Sequence, residues 1–141
     1  MNNAIDRPTD NPTASPAPAE LVRGLYADLD AERITEALAR IAPDAVLHVP
    51  GHHPAAGDFV GHDGLATFLL TSAGIAAVDE EVEDVLVGAH TVAALVRVRG
   101  TREDGRSLDN DTVHRFRIED GLIHEVWFHN LDQHAVDAFW R

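Results

Sequence analysis

Cysteine is absent from the 141 residues. That excludes a disulfide framework, a thiolate nucleophile and any Cys-ligated zinc or iron–sulfur site. No apolar run approaches the ~20 residues of a membrane span, and the N-terminus lacks the basic and apolar regions of a signal peptide. Basic residues are few: 11 Lys and Arg stand against 24 Asp and Glu, a formal net charge of −13. Such a field repels phosphate backbones and anionic lipid heads, which argues against nucleic acid and membrane surfaces as partners. Apolar residues are plentiful at 45%, too many for a disordered chain. A chain of this length makes one domain and buries roughly two-thirds of its unfolded surface without a staple. The expectation is a soluble, acidic, cytoplasmic single domain.

Residues 1–18, rich in Pro, Asn, Thr and Ala, offer no apolar face and read as a loose tail, with the domain over 19–141. Leu21, Val22, Leu25 and Leu29, with Tyr26 beside them, predict a helix over 19–29. Asp30 reads as the N-cap of a second helix over 31–41, stopped by Pro43. Ala45 to Val49 reads as a strand, followed by a Pro/Gly-rich loop to Gly61 and a third helix over about 62–72. From residue 79 the period is two. Strands follow to Val87, over Thr91–Arg99, Ser107–Ile118 and Leu122–Asn130, with turn signals at Asp104-Gly105 and Asp120-Gly121. Asp132 reads as the N-cap of a short last helix. Helices first and hairpin-linked strands later predict an α+β domain: three N-terminal helices on the concave face of a curved, mainly antiparallel sheet. A cavity between helices and sheet is then the place for a small ligand.

The residues in this order resemble the nuclear transport factor 2-like superfamily, within it the SnoaL-like polyketide cyclase and ketosteroid isomerase branch. The resemblance rests on Leu25-Tyr26, Pro43-Asp44-Ala45, His48-Val49-Pro50-Gly51, Ala56 to Gly61, Asp120-Gly121-Leu122-Ile123, Glu125-x-Trp127, Asp132-Gln133 and Phe139-Trp140. It covers about residues 20–141 and implies a cone-shaped α+β barrel. The superfamily carries isomerases, aldol cyclases, epoxide hydrolases, dehydratases and proteins without catalysis, so fold alone does not assign function.

A Gly-bulged turn at Glu119-Asp120-Gly121 that pairs Ile118 with Leu122 puts the even positions of both strands on one face. His114, Phe116, Ile118, His124, Val126, Phe128 and Asn130 then face the cavity, and Arg115, Arg117, Glu125, Trp127 and His129 face away. His114 sits in an apolar wall, where an imidazole can give or take a proton. The resemblance implies that such a His works with an Asp on the next strand; that place holds Phe128. It also implies a base just before the proline ending the first strand; that place holds Val49. Tyr26 matches the tyrosine that donates to an oxyanion, or else packs in the core. His48 alternates with Val49, so one of the two faces inward and the other outward, and His48 is the substitute base if it turns in.

His48, His52 and His53 cluster in sequence, yet no His-x-His strand or helical His-x-x-x-His occurs, and the reading is no metal and no organic cofactor. Glu81, Glu83 and Asp84 read as a solvated face. Trp127 falls on the convex face, covered by a homodimer through the sheet, as the resemblance implies, or by Phe139 and Trp140. The first function expected is a cofactor-independent isomerase or cyclase that moves a proton on a small apolar carbonyl or polycyclic molecule. His114 is the acid/base, Tyr26 the oxyanion donor, and Val49, Phe68, Phe116, Val126, Phe128 and Asn130 line the site. The alternative is a non-catalytic binding or dimerisation module. Epoxide hydrolysis ranks last, since no inward Arg lies between two inward Asp.

Overall fold

The structure is a computed structural model that describes residues 16–141. The expected tail, apart from residues 16–18, lies outside the described residues. Pro18 already opens the first helix, where its missing N–H costs nothing.

The elements are α1 (Pro18–Asp30), α2 (Ile34–Ala39), β1 (Ile41–Val49), β2 (Gly57–Val60), α3 (Gly61–Ile75), β3 (Val78–Val87), β4 (Val92–Thr101), β5 (Ser107–Glu119), β6 (Leu122–Asn130) and α4 (Gln133–Trp140). One curved sheet has the order β2-β1-β6-β5-β4-β3. All neighbours are antiparallel except β1 and β6. Helices α1, α2 and α3 pack on β1, β3 and β4, which gives the expected α+β cone. Leu21, Val22 and Leu25 of α1 meet Leu47 and Val49 of β1, Ala94 and Val96 of β4, and Phe116 of β5 in one core. Leu108, Val136 and Phe139 form a second cluster, where α4 closes one end. Asp132 caps α4 as expected, its side chain accepting from the Ala135 N–H.

Three local readings are corrected. Asp30 is the last residue of α1 rather than a cap, and α2 spans only six residues. Buried Asp28 holds both Arg33 and Arg40, and Glu32 turns left-handed at φ 57°, so the chain breaks before α2 and again after it. Pro43 lies inside β1, which begins at Ile41 because the Arg40 carbonyl already accepts from the Ile123 N–H. The expected loop before Gly61 holds β2, an edge strand of four residues with too little apolar alternation to announce itself.

The β5–β6 turn differs as well. Asp120 and Gly121 both have positive φ, 50° and 75°, as a two-residue type I′ hairpin requires. The extra residue is His124, placed between the pairs Arg117↔Glu125 and Ile118↔Ile123. Beyond this bulge the register slides two residues from the expected one. A slide of two preserves faces, so His114, Phe116, Val126, Phe128 and Asn130 still share the concave side. His124 leaves that face, and its Nε2–H donates to the Glu119 carbonyl at 3.2 Å.

Candidate functional site

Between the helices and the sheet lies a cavity of about 420 Å³, with a smaller lobe of about 100 Å³ beside it. Their combined size suits a small organic molecule. The two lobes meet at Tyr26 of α1, Phe68 of α3, Glu80 of β3, His114 of β5 and Phe128 of β6. The smaller lobe is closed by Phe116 and Val126; Val49 and Asn130 line the larger. Ile118 and His124, also expected on the cavity face, line neither lobe.

At the waist, the Tyr26 hydroxyl and His114 Nδ1 share a short hydrogen bond. Burial pushes the His114 pKa down to about 3, with a smaller contribution from His129. Burial, and then the charge of Glu80, raises the Tyr26 phenol well above its ordinary value. Both partners are neutral at pH 7. Between them they carry two protons and use one in the shared bond. When Tyr26 donates, the His114 Nε2–H is left over; when His114 donates, the Tyr26 O–H is. In its neutral form the pair keeps one proton to donate. The acid/base role expected of His114 would form an imidazolium that burial disfavours.

Phe128 lies directly opposite His114, and the rings stack with centroids 3.9 Å apart. Val49 faces the cavity. The alternation left open at His48 is thereby decided: His48 lies on the convex face and is no substitute base. Its Nδ1 and Nε2 reach Asp58 at 2.7 Å and Glu125 at 2.5 Å, and its ring stacks on Trp127. Burial alone lowers its pKa, but the hydrogen bonds with Glu125 and Asp58 outweigh that and raise it. The Arg115 guanidinium covers the other side of Trp127 at 4.0 Å. Phe139 and Trp140 pack elsewhere, so they do not cover Trp127.

Glu80 was hidden in the acidic run 79–84. Glu81 beside it pairs with Arg99 on the outer face, as Asp109 of β5 pairs with Arg97. Glu80 shares its strand face with Val78 and Val82 and lines both lobes of the cavity, with its side chain exposed. Burial raises its pKa to about 7. Period-two placement between Val78 and Val82 is the signal that marks it. At the far end of the larger lobe, Asn110 donates to Asn130 and Asn130 to Gln133. His53 is buried there beside Trp140, lowered in pKa by burial, while His52 is exposed. Among the described residues no three His, Asp or Glu side chains converge as a metal site.

Comparison with known proteins gives the class. The SnoaL-like domain matches residues 22–126, and the chain belongs to that family, a branch of the NTF2-like superfamily. An uncharacterised protein of Mycobacterium tuberculosis is 31% identical over 127 residues, 88% of this chain and 96% of that one. An NTF2-like protein of unknown function from Burkholderia pseudomallei superposes with TM-score 0.79 at 21% identity, over 86% of this chain and 95% of that one. TerC, co-crystallised with polyporic acid, gives 0.78 at 19% identity, over 86% and 95%. A second M. tuberculosis protein, in complex with estradiol-17β-hemisuccinate, gives 0.70 at 19% identity, over 85% and 98%. At these identities the solved structures establish the fold alone.

Proposed function

We propose that the chain is a small-molecule pocket protein that acts as a cofactor-independent isomerase or cyclase on an apolar carbonyl compound. The observation that carries this is the neutral Tyr26–His114 pair at the waist of a largely apolar cavity. A ligand carbonyl that accepts the pair's remaining proton becomes polarised in a low-dielectric site, where a fixed donor stabilises a developing oxyanion best. Phe68, Phe116, Val126, Phe128 and Val49 supply the apolar wall, and Asn130 a polar end. The neighbours holding polyporic acid and estradiol-17β-hemisuccinate support a small-molecule occupant. No arginine lines either lobe among the described residues, which leaves epoxide hydrolysis of the Asp-Arg-Asp kind without its central group.

The test uses 2-naphthol, a flat mimic of an enol, titrated by NMR. Wild type binds it, and Tyr26→Phe and His114→Ala weaken binding by roughly tenfold, the worth of one hydrogen bond. Equal binding by all three proteins would remove the donor pair from the site. A second reading, a binding module without catalysis, draws its support from Phe128 and Val49 where the family resemblance implies carboxylates. It gains if wild type binds 2-naphthol but never exchanges the α-protons of a bound ketone.

A homodimer through the convex sheet face, and a cytoplasmic location, belong to the same proposal. Support for the first is Trp127, half-buried between His48 and Arg115 with no helix over it among the described residues. The absence of cysteine suits a reducing compartment. No described helix is long and apolar enough to cross a membrane.

A further inference from the structure

The positions where the family resemblance implies a carboxylate base hold Val49 and Phe128, and both are apolar walls. The cavity nevertheless contains a carboxylate. Asp30 and Glu32 line only the larger lobe, at the end of α1. Among the described acidic residues Glu80 alone lines both lobes, level with Tyr26 and His114. It comes from β3, paired across from Val98 of β4.

We infer that Glu80 is the catalytic base of this pocket, taking a proton from the carbon α (or vinylogous γ) to the ligand's carbonyl. The inference rests on the pocket reading above and supplies the group that reading lacks. Three features carry it. The carboxyl is aimed into the cavity from the strand that faces α1, so it reaches a ligand whose oxygen lies on the Tyr26–His114 pair. It makes no ion pair or side-chain hydrogen bond among the described residues, while Glu81 beside it is held by Arg99. It is close enough that its charge raises the Tyr26 phenol. A pKa of about 7 suits the work, since the group is then part base and part acid at neutral pH.

The step balances without any other reactant. The C–H electron pair becomes the new C=C bond, the carbonyl π pair moves to oxygen, and the oxyanion takes the hydrogen bond of the Tyr26–His114 pair. Glu80 holds the proton as its carboxylic acid. Returning that proton to a different carbon isomerises the ligand; attack of the enolate on a second carbonyl in the same molecule closes a ring, and the proton goes to the new alkoxide. Either way one carboxyl serves as base and then acid. The substrate class follows: an uncharged, largely apolar ketone with an acidic C–H next to, or conjugated with, its carbonyl. An anionic ligand would meet Glu80 at the waist.

The experiment measures exchange of the α-protons of 2-tetralone for deuterium in D2O, by NMR, with the full chain. Wild type exchanges them faster than buffer, with a rate that climbs with pH and levels above about 7 as Glu80 ionises. Glu80→Gln cuts the enzymatic rate by at least roughly a hundredfold and still binds 2-naphthol as tightly as wild type or tighter, because a repelling charge is gone. Glu81→Gln, on the outer face, exchanges like wild type. Circular dichroism melts show that each variant is folded. If Glu80→Gln exchanges like wild type, Glu80 is not the base and the pocket reading stands; if wild type binds 2-naphthol but shows no exchange above buffer, Glu80 is not the base and the reading left is the binding module without catalysis. If wild type does not bind 2-naphthol, the pocket reading itself falls.

Discussion

His114 and Phe128 face each other across β5 and β6 with their rings 21° from parallel and 3.9 Å apart. The stack gives a physical reason why burial disfavours a charged His114. A carboxylate in Phe128's place would pair with an imidazolium; a benzene ring offers nothing to offset the cost of burying that charge. The histidine is kept neutral on one side by Phe128 and engaged on the other by Tyr26.

Phe128→Asp tests this division of labour. The new carboxylate should raise the His114 pKa well above its value of about 3, read from the imidazole resonances in a pH titration. Loss of the ring should cost about 3 kcal/mol of stability. An imidazole that stays neutral down to about pH 4 in the variant would show that its environment, not its partner, sets the protonation state.

Tyr26→Phe removes the hydroxyl but keeps the ring. His114 Nδ1 then has no partner, and stability should fall by about 1–2 kcal/mol in a denaturant titration. The exchange rate of 2-tetralone should fall by roughly a hundredfold, the usual worth of one oxyanion donor. A variant as active as wild type would place the ligand oxygen away from the pair.

His48 ties β2, β1 and β6 together through Asp58 and Glu125. Its raised pKa means that the folded state holds the proton more tightly than the unfolded chain. The stabilisation is therefore complete below about pH 6.5, the unfolded value, and is lost as pH rises through the folded one. Unfolding free energies of wild type and His48→Gln from denaturant titrations should converge on raising the pH through that window and diverge below it, by about 1 kcal/mol or less. Divergence at high pH instead would reverse the sign of the coupling.

Most of the frame was legible in the residues. The Asp-Gly turns, the period-two strands and the Asp132 cap are local signals, and the structure keeps each of them. The face assignment of His114, Phe128 and Asn130 survived because a register error of two leaves faces unchanged. What failed depended on distant partners. Asp30 looked like a cap, but buried Asp28 gathers Arg33 and Arg40 and sets where α2 begins. His48 and Val49 had equal claims until β6 supplied Glu125 and Trp127 on the outer side. Glu80 was lost because an acidic run reads as solvated surface. Its neighbours Val78 and Val82 share its face, and the fold puts a cavity in front of it.

The same carboxyl makes a prediction about stability. A carboxyl raised to about 7 binds its proton more tightly in the folded state than in the unfolded one, where it titrates near 4.5. Between those values folding stability should fall as pH rises, because the folded chain holds a proton that the unfolded chain has released. A tenfold difference in proton affinity corresponds to ~1.4 kcal/mol, but Glu80 opens onto a cavity that water can enter, so the effect is screened and about 1–2 kcal/mol is expected. Glu80→Gln, which cannot ionise, should match wild type near pH 4.5 and be more stable than it at about pH 8. Denaturant titrations at both pH values measure the difference. A residue that weakens the fold in its charged form and leads catalysis in the same form fits a base placed for chemistry. A Gln variant no more stable at the higher pH would mean that Glu80 ionises as freely as an ordinary surface carboxylate, and the rise of exchange with pH would then have to end near 4.5 rather than near 7.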